Sequence, residues 1–213
     1  MGNVHFDLGG ELLPREEKKI GLAFFGEGES FNTLKGVVET LLARFGVKGA
    51  KYQRNDVDCF QPGRRADVLV KGEKLGELGQ VHPNVLAAWD ISVPVYMAEL
   101  SFEKLVELSV DTPTFQPLPK FPVVSRDLAI VVPEESESAH WIELIETAPV
   151  DVIVEKGRLF DVYRGPAVGL GKKSLAITFN FRAEDHTLTD EEIKKAFETV
   201  IRVLGEKGAP LRQ

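Results

Sequence analysis

From Ser174 to Phe181 apolar and polar side chains alternate without a break. Leu175, Ile177, Phe179 and Phe181 fall on one face, and Ser174, Ala176, Thr178 and Asn180 on the other. Period two sustained in this way predicts a half-buried β-strand. Upstream, the β-prone run Leu159–Tyr163 is broken by Gly165, Pro166, Gly169 and Gly171, so the two runs are expected to pair as a hairpin across a flexible glycine-rich loop. Downstream, Thr189 is followed three residues later by Glu192, with acids between. That spacing predicts a capping box opening a helix, with the early acids suited to its dipole. Around this centre the second half of the chain reads as strand (125–132), helix (137–148), strand (153–163), strand (173–182), helix (190–205) and a short terminal strand (209–211). The order βαββαβ is the ferredoxin-like split βαβ unit. Trp141, Leu144, Ile145 and Ala148 form the apolar stripe of its first helix. Ile193, Ala196, Phe197, Val200, Ile201 and Leu204 form that of the second.

The first half carries a different pattern. Short strands are expected at 4–8 and 19–25, each closed by glycines. Leu34, Val37, Val38, Leu41, Leu42 and Phe45 then recur at helical spacing, with Gly46 as the stop. Runs at 66–70 and 74–81 flank Lys71-Gly72-Glu73 and predict a hairpin. A short helix or turn follows at 83–89 and a strand at 94–102. Between the halves, residues 111–122 contain four prolines in twelve positions, which no helix interior or central strand accommodates. The expected domains are therefore 1–112 and 113–213.

The 213 residues suffice for two domains of about 100 residues each. A single cysteine, Cys59, excludes an internal disulfide framework and fits a reducing compartment. No apolar run approaches the ~20 residues that span a bilayer, and the N-terminus lacks a signal pattern. These features predict a cytoplasmic protein without membrane contact. The net charge of −7 argues against a generic nucleic-acid binder, and the two halves contribute −4 and −3. Within 156–182, however, Lys156, Arg158, Arg164, Lys172, Lys173 and Arg182 face only Asp161, a local +5. Two readings are open for that cluster: a solvated surface, or a cation set for phosphate.

Conventional catalytic chemistry is not legible. His5, His82, His140, His186 and Cys59 are scattered, with no metal-site spacing. His82, before Pro83, is expected to bond to local backbone. The glycines at 165–171 link two strands and open no helix, so no phosphate cradle is expected. A nucleophile elbow is absent, and so is a Gly-x-Gly-x-Glu-Arg stretch.

Five ordered blocks carry a resemblance: 120–132 (KFPVVSRDLAIVV), 159–165 (LFDVYRG), 171–179 (GKKSLAITF), 187–193 (TLTDEEI) and Leu211-Arg212. Together they resemble the ferredoxin-fold anticodon-binding domain that closes phenylalanyl-tRNA synthetase β subunits. The stretches 31–42, 60–67 and 76–86 are similar to the latter part of that subunit's synthetase-like core. The family pattern His-Pro-Gly-Arg-Ser-Ala is replaced here by Gln61-Pro62-Gly63-Arg64-Arg65-Ala66, so no role for that histidine carries over.

The resemblance implies an α+β chain: a partial class II synthetase-like antiparallel sheet with helices, followed by the ferredoxin-like βαββαβ domain. It implies a C-terminal piece of a longer subunit, lacking the RNA-binding, editing and earlier core segments. The family joins phenylalanine to its tRNA with ATP and magnesium, in an α2β2 heterotetramer whose α subunit carries catalysis. This piece is expected to be inactive alone and to bind no cofactor itself. Its partners would be tRNA(Phe), through the anticodon region, and the α subunit, towards which Arg64, Arg65 and the 82–86 turn are candidates. Single-stranded loops are held by stacking and by cations on phosphate, so the RNA-binding candidates are Arg126, Arg158, Tyr163, Arg164, Lys172, Lys173 and Arg182. Bases are expected against the Thr178 and Asn180 face. Tyr163 has a second reading as a sheet-packing aromatic, and Arg126 one as a structural partner of Asp127. Two other function classes compete: a ferredoxin-like small-ligand regulatory module, marked by ligand-induced stabilisation without RNA affinity, and a structural oligomerisation domain, marked by a stable dimer.

Overall fold

The computed structural model describes residues 1–10, 13–110 and 118–212. Two compact units form, Met1–Phe115 and Gln116–Gln213. Most of the proline-rich stretch expected as the boundary, residues 111–117, lies outside the described residues.

The first unit orders its elements as β1 (Gly2–Phe6), β2 (Arg15–Phe25), α1 (Phe31–Arg44), β3 (Lys51–Gln53), β4 (Phe60–Val70), β5 (Glu73–Val81), α2 (Pro83–Ala88), β6 (Val95–Ser101) and α3 (Phe102–Leu108). Its strands make one antiparallel sheet in the order β1-β2-β6-β5-β4-β3. β1 ends at Phe6 rather than Leu8, because the Asp7 carboxylate accepts the Gly9 N–H at 2.9 Å and turns the chain. β2 starts four residues before the expected Lys19; its charged beginning is held by pairing with β1 and by ion pairs such as Arg15–Glu17 at 2.8 Å. At the β4–β5 turn Lys71 and Gly72 both have positive φ, 51° and 84°, as a two-residue type I′ hairpin requires.

Ser30 caps α1, accepting the Thr33 N–H at 3.1 Å. Gly46, at φ 69°, ends the helical run where a Cβ would lie 3.0 Å from Val110 Cβ. Leu34, Val38 and Leu42 of α1 are buried against Val68, Leu78, Ala98 and Leu100. The opposite sheet face stays partly open: Phe25 and Met97, on that face by register, are 74% and 43% exposed. Trp89 just after α2 is also exposed.

The second unit is β7 (Val124–Pro133), α4 (Ser138–Glu146), β8 (Ile153–Tyr163), β9 (Lys172–Arg182) and α5 (Asp190–Glu206). The sheet order is β7-β9-β8, all antiparallel. The expected terminal strand reduces to one antiparallel bridge, Leu211 to Ile130, on the outer edge of β7. Pro210 has no N–H to extend that ladder, although its carbonyl accepts the Val131 N–H at 2.9 Å. With that segment the βαββαβ order is complete. Both helices lie on one face: Trp141 and Ile145 of α4 and Ile193, Ala196, Val200 and Leu204 of α5 join Ile130, Ile177, Phe179 and Phe181 in one core. The other face carries neither α4 nor α5.

The capping box at α5 is present: Thr189 Oγ1 accepts the Glu192 N–H, and the Glu192 carboxylate accepts the Thr189 N–H at 2.8 Å. His186 joins it, with Nδ1 2.7 Å from Asp185 and Nε2 3.0 Å from Glu192. Bonds from the Thr189 N–H and hydroxyl, then from His186, hold the Glu192 carboxyl at about 2. Asp185 first and Glu192 second raise the His186 pKa above 6.5. The raised histidine contributes stability below its ordinary pKa and loses it as pH climbs through the raised value. The depressed glutamate contributes above 4.5 and loses it as pH falls towards 2. Denaturant midpoints should therefore fall on both sides of a plateau near pH 5–6. His186→Gln should remove the alkaline-side loss while keeping the acid-side one. Equal alkaline slopes in the two proteins would show that the histidine is not involved.

Candidate nucleic-acid interface

The open face of the second unit is set by the alternation of β9. Leu175, Ile177, Phe179 and Phe181 point to the helices, so Ser174, Ala176, Thr178, Asn180 and Arg182 form the centre line of the other face. Register places Ser125 and Glu155 either side of Asn180, Asp127 and Arg158 either side of Thr178, and Val131 and Tyr163 either side of Ser174. The Ser125 hydroxyl donates to the Asn180 side-chain oxygen at 2.8 Å, and Ser174, Ala176 and Thr178 keep the centre line short.

β8 departs from simple alternation twice. Its register against β9 slips between Glu155 and Arg158, and again between Leu159 and Asp161. Each slip is a bulge that inserts one extra residue. Lys156 in the first bulge takes φ 57°. Phe160 in the second is 53% exposed. Arg158 and Tyr163, five residues apart, would lie on opposite faces of a regular strand; the bulge at Phe160 brings both to the open one.

The seven expected RNA-binding side chains do not act as one cluster. Arg158 and Lys172 sit on the open face, exposed, and neither side chain has an ion pair or hydrogen bond among the described residues. Arg182 is on the same face but 19% exposed, 3.5 Å from Glu155, with its Nε buried and unpartnered. Tyr163 is there too. Arg126 is not: its register partner is Phe179, so it lies on the helix-side face, donating to the neighbouring Ser125 carbonyl at 3.1 Å. Arg164 is bound to Glu134 at 2.9 Å, and the Lys173 ammonium donates to the Glu134 carbonyl at 2.6 Å. The local +5 is thus reduced by Glu134 and Glu155, both outside the basic run. The glycine loop is more ordered than its composition implies, with a 3₁₀ turn over Pro166–Val168 anchored by buried Val168.

Beside the lower end of β8 and β9 opens a cleft of about 640 Å³, lined in part by Lys120, Glu155, Lys156 and Arg182. It extends the cationic surface from Arg158. Phe160 is an exposed aromatic that the sequence pattern did not single out. Its exposure comes from the bulge, which pairing with β9 creates and composition does not announce.

In the first unit Arg65 is an internal tie. It donates to the Val57 carbonyl at 2.9 Å and pairs with Asp56 at 2.8 Å, holding the bulged segment between Phe60 and Arg65. Arg64 donates to Gln80 at 2.6 Å. Gly79 lacks the Cβ that would come within 2.5 Å of the Phe60 ring, so Phe60 can lie across it. His82 Nδ1 accepts the Asn84 N–H at 3.2 Å, the local backbone role its place before Pro83 implied. Among the described residues no three His, Cys, Asp or Glu side chains converge on a metal site, and no helix is long and apolar enough to cross a membrane.

Comparison with known proteins matches each unit. A family model described as the ferredoxin-fold anticodon binding domain covers residues 119–212. One described as the phenylalanyl tRNA synthetase beta chain CLM domain covers residues 1–102. The phenylalanine–tRNA ligase beta subunit of Symbiobacterium thermophilum is 39% identical across 100% of this chain and is itself covered over 25% of its length. That of Syntrophotalea carbinolica is 41% identical over 95% of this chain and 27% of its own. That of Clostridium tetani is 36% identical over 100% and 27%. The chain spans about a quarter of the length of these curated relatives. Matched over residues 1–102 and 119–212 by these two family models, and along its length by phenylalanine–tRNA ligase beta subunits, the chain belongs to the phenylalanyl-tRNA synthetase β-subunit family.

Proposed function

We propose that this chain contributes anticodon-region binding of tRNA(Phe), and a subunit-assembly surface, to a cytoplasmic phenylalanine–tRNA ligase. Aminoacylation itself, with ATP and magnesium, is assigned to an α subunit within an α2β2 heterotetramer. No step of that chemistry is assigned to residues of this chain. The observation that carries the RNA reading is the open sheet face, where Arg158 and Lys172 stand without intramolecular partners among the described residues, with the exposed Phe160 at the β8 bulge. Free cations supply phosphate contacts, and an exposed aromatic on a sheet supplies a stacking plane. The short side chains of Thr178 and Asn180 let bases approach the strands between them.

The assembly reading rests on the first unit. Phe25 and Met97 share the sheet face away from α1, and exposed aromatics and methionine are enriched where protein surfaces meet. Arg64 and Arg65 are spent on internal contacts and contribute less to that surface than their charge implied.

The test is titration of this chain with a phenylalanine tRNA anticodon stem-loop and with the same stem bearing a scrambled loop, at two salt concentrations. Preference for the native loop is the expected result. Equal affinity for both loops, in folded protein, would reduce the chain's role to assembly.

A further inference from the structure

The sheet of the first unit contains a glycine that its own chain does not explain. Gly76 and Gly79 of β5 are accounted for. A Cβ on the first would strike the Glu99 carbonyl and the Leu100 side chain, and one on the second would meet the Phe60 ring at 2.5 Å. Gly21 of β2 is different. It pairs with Glu99 in unbroken register, has no positive φ, and a Cβ there would find no atom within 4 Å. Glycine inside a strand weakens it, and where no bulge or bend is present it marks a place that a ligand or another backbone approaches closely. Among the described residues nothing fills that space.

Gly21 lines a pocket of about 260 Å³ together with Cys59 and Phe60 at the entry to β4, Val85 of α2 and Met97 of β6. That volume is below the roughly 300–1,000 Å³ of sites for drug-sized ligands, and it suits one ring or a short chain. Glu77 and Glu99 complete the lining and are direct cross-strand neighbours, a like-charge pairing that costs stability unless a cation stands near. The cations present are thinly shared. Lys74 pairs with Asp67 at 2.9 Å and with Glu77 at 2.7 Å. Lys19 stands 3.7 Å from Glu99 and nearer to Glu17, at 3.3 Å. The Glu99 side chain is 56% exposed and accepts no hydrogen bond among the described residues. An apolar hollow beside an under-paired carboxylate is complementary to an apolar group that carries an ammonium.

We propose that this pocket is a binding site for a small apolar amine, with its ring or chain over Gly21 between Phe60 and Met97 and its ammonium on Glu99. A neutral analogue forgoes the charge-assisted bond, and a carboxylate in the same place meets two glutamates. The site is independent of the RNA-binding reading, and it shares only Met97 with the residues named for the assembly surface.

The chain has a single cysteine and it lines the pocket, so the rate at which Cys59 reacts with dithiodipyridine reports occupancy directly. That rate is followed at neutral pH against rising concentrations of phenethylamine, phenethyl alcohol and hydrocinnamate. Protection by the amine is expected with a dissociation constant of about 1 mM, the scale for so small a ligand. The alcohol should protect about tenfold more weakly, the scale of one charge-assisted hydrogen bond, and hydrocinnamate not at all. Glu99→Gln should bring the amine down to the level of the alcohol and leave the alcohol unchanged. Gly21→Val places its side chain where no atom stands, and a β-branched residue suits a strand, so the melting temperature should hold or rise while protection disappears. Equal protection by amine and hydrocinnamate, or protection that survives Gly21→Val, overturns the proposal. Full reactivity of Cys59 in about 20 mM amine does the same. None of these outcomes bears on tRNA binding, which the stem-loop titration reads separately.

Discussion

Replacing Arg158 and Lys172 together by glutamine is expected to weaken anticodon stem-loop binding about 25-fold at 0.1 M salt. The estimate follows from counterion release. Each phosphate contact on a single strand contributes about 0.7 to the slope of log affinity against log salt, so two lost contacts flatten it by about 1.4. These two residues are chosen because they stand on the open face with no internal partner. Arg126→Gln supplies the contrast, since that side chain lies on the helix-side face and should leave the slope unchanged. A slope that is the same in the double variant and the unsubstituted chain would remove both cations from the interface. A slope that falls equally with Arg126→Gln would mean that the RNA is not confined to the open face.

The other large effect is on folding. Phe179→Ala should destabilise the second unit by about 3–5 kcal/mol, the range for removing a buried aromatic ring. Phe179 is 0% exposed at the centre of the core. It meets Phe181 edge-on at 5.3 Å between centroids and stacks with Phe197 of α5 at 6.2 Å. Deleting the ring therefore forfeits its transfer energy, leaves a cavity and removes two aromatic contacts that join strand to helix. Near a unit of this size, each kcal/mol shifts the melting temperature by about 4–8 °C, so a drop of about 15 °C or more is expected by calorimetry. A drop under about 5 °C would mean that α5 closes over the gap, and that the core is less rigidly packed than its burial suggests.

Much of this architecture could be read before any coordinates. β9 was legible because alternation is a property of the chain itself, and Thr189 with Glu192 was legible because a capping box needs only local spacing. Two short elements, β3 and α3, were not. β3 has three residues and α3 has seven, too few for a period to emerge, and α3 follows directly on a strand whose last residue, Ser101, is its cap. The site was half legible. The cations of the 156–182 run were visible as a cluster, but their availability was decided by Glu134 and Glu155, which lie outside the run and are brought in by pairing. Likewise Arg126 was a plausible contact until register put it opposite Phe179. Which face a side chain takes depends on its own strand, but which partner it finds depends on another.

The two bulges of β8 turn that strand into a counting device. Between Glu155 and Tyr163 the strand spends two residues that β9 does not match, so Val154, Leu159 and Val162 all reach the core although their spacings are five and three. Odd and even therefore change meaning twice along eleven residues. Deleting Phe160 would restore the plain rhythm, leaving Leu159, Asp161, Val162 and Tyr163 in unbroken alternation against Ile177, Ala176, Leu175 and Ser174, with Tyr163 still on the open face and Val162 still in the core. Loss of one residue from each bulge would make β8 and β9 equal in length between Glu155 and Tyr163, again without exchanging the faces. In evolutionary terms the strand can shorten by a single residue at either bulge and keep its faces, whereas a single deletion away from the bulges must be absorbed by one of them.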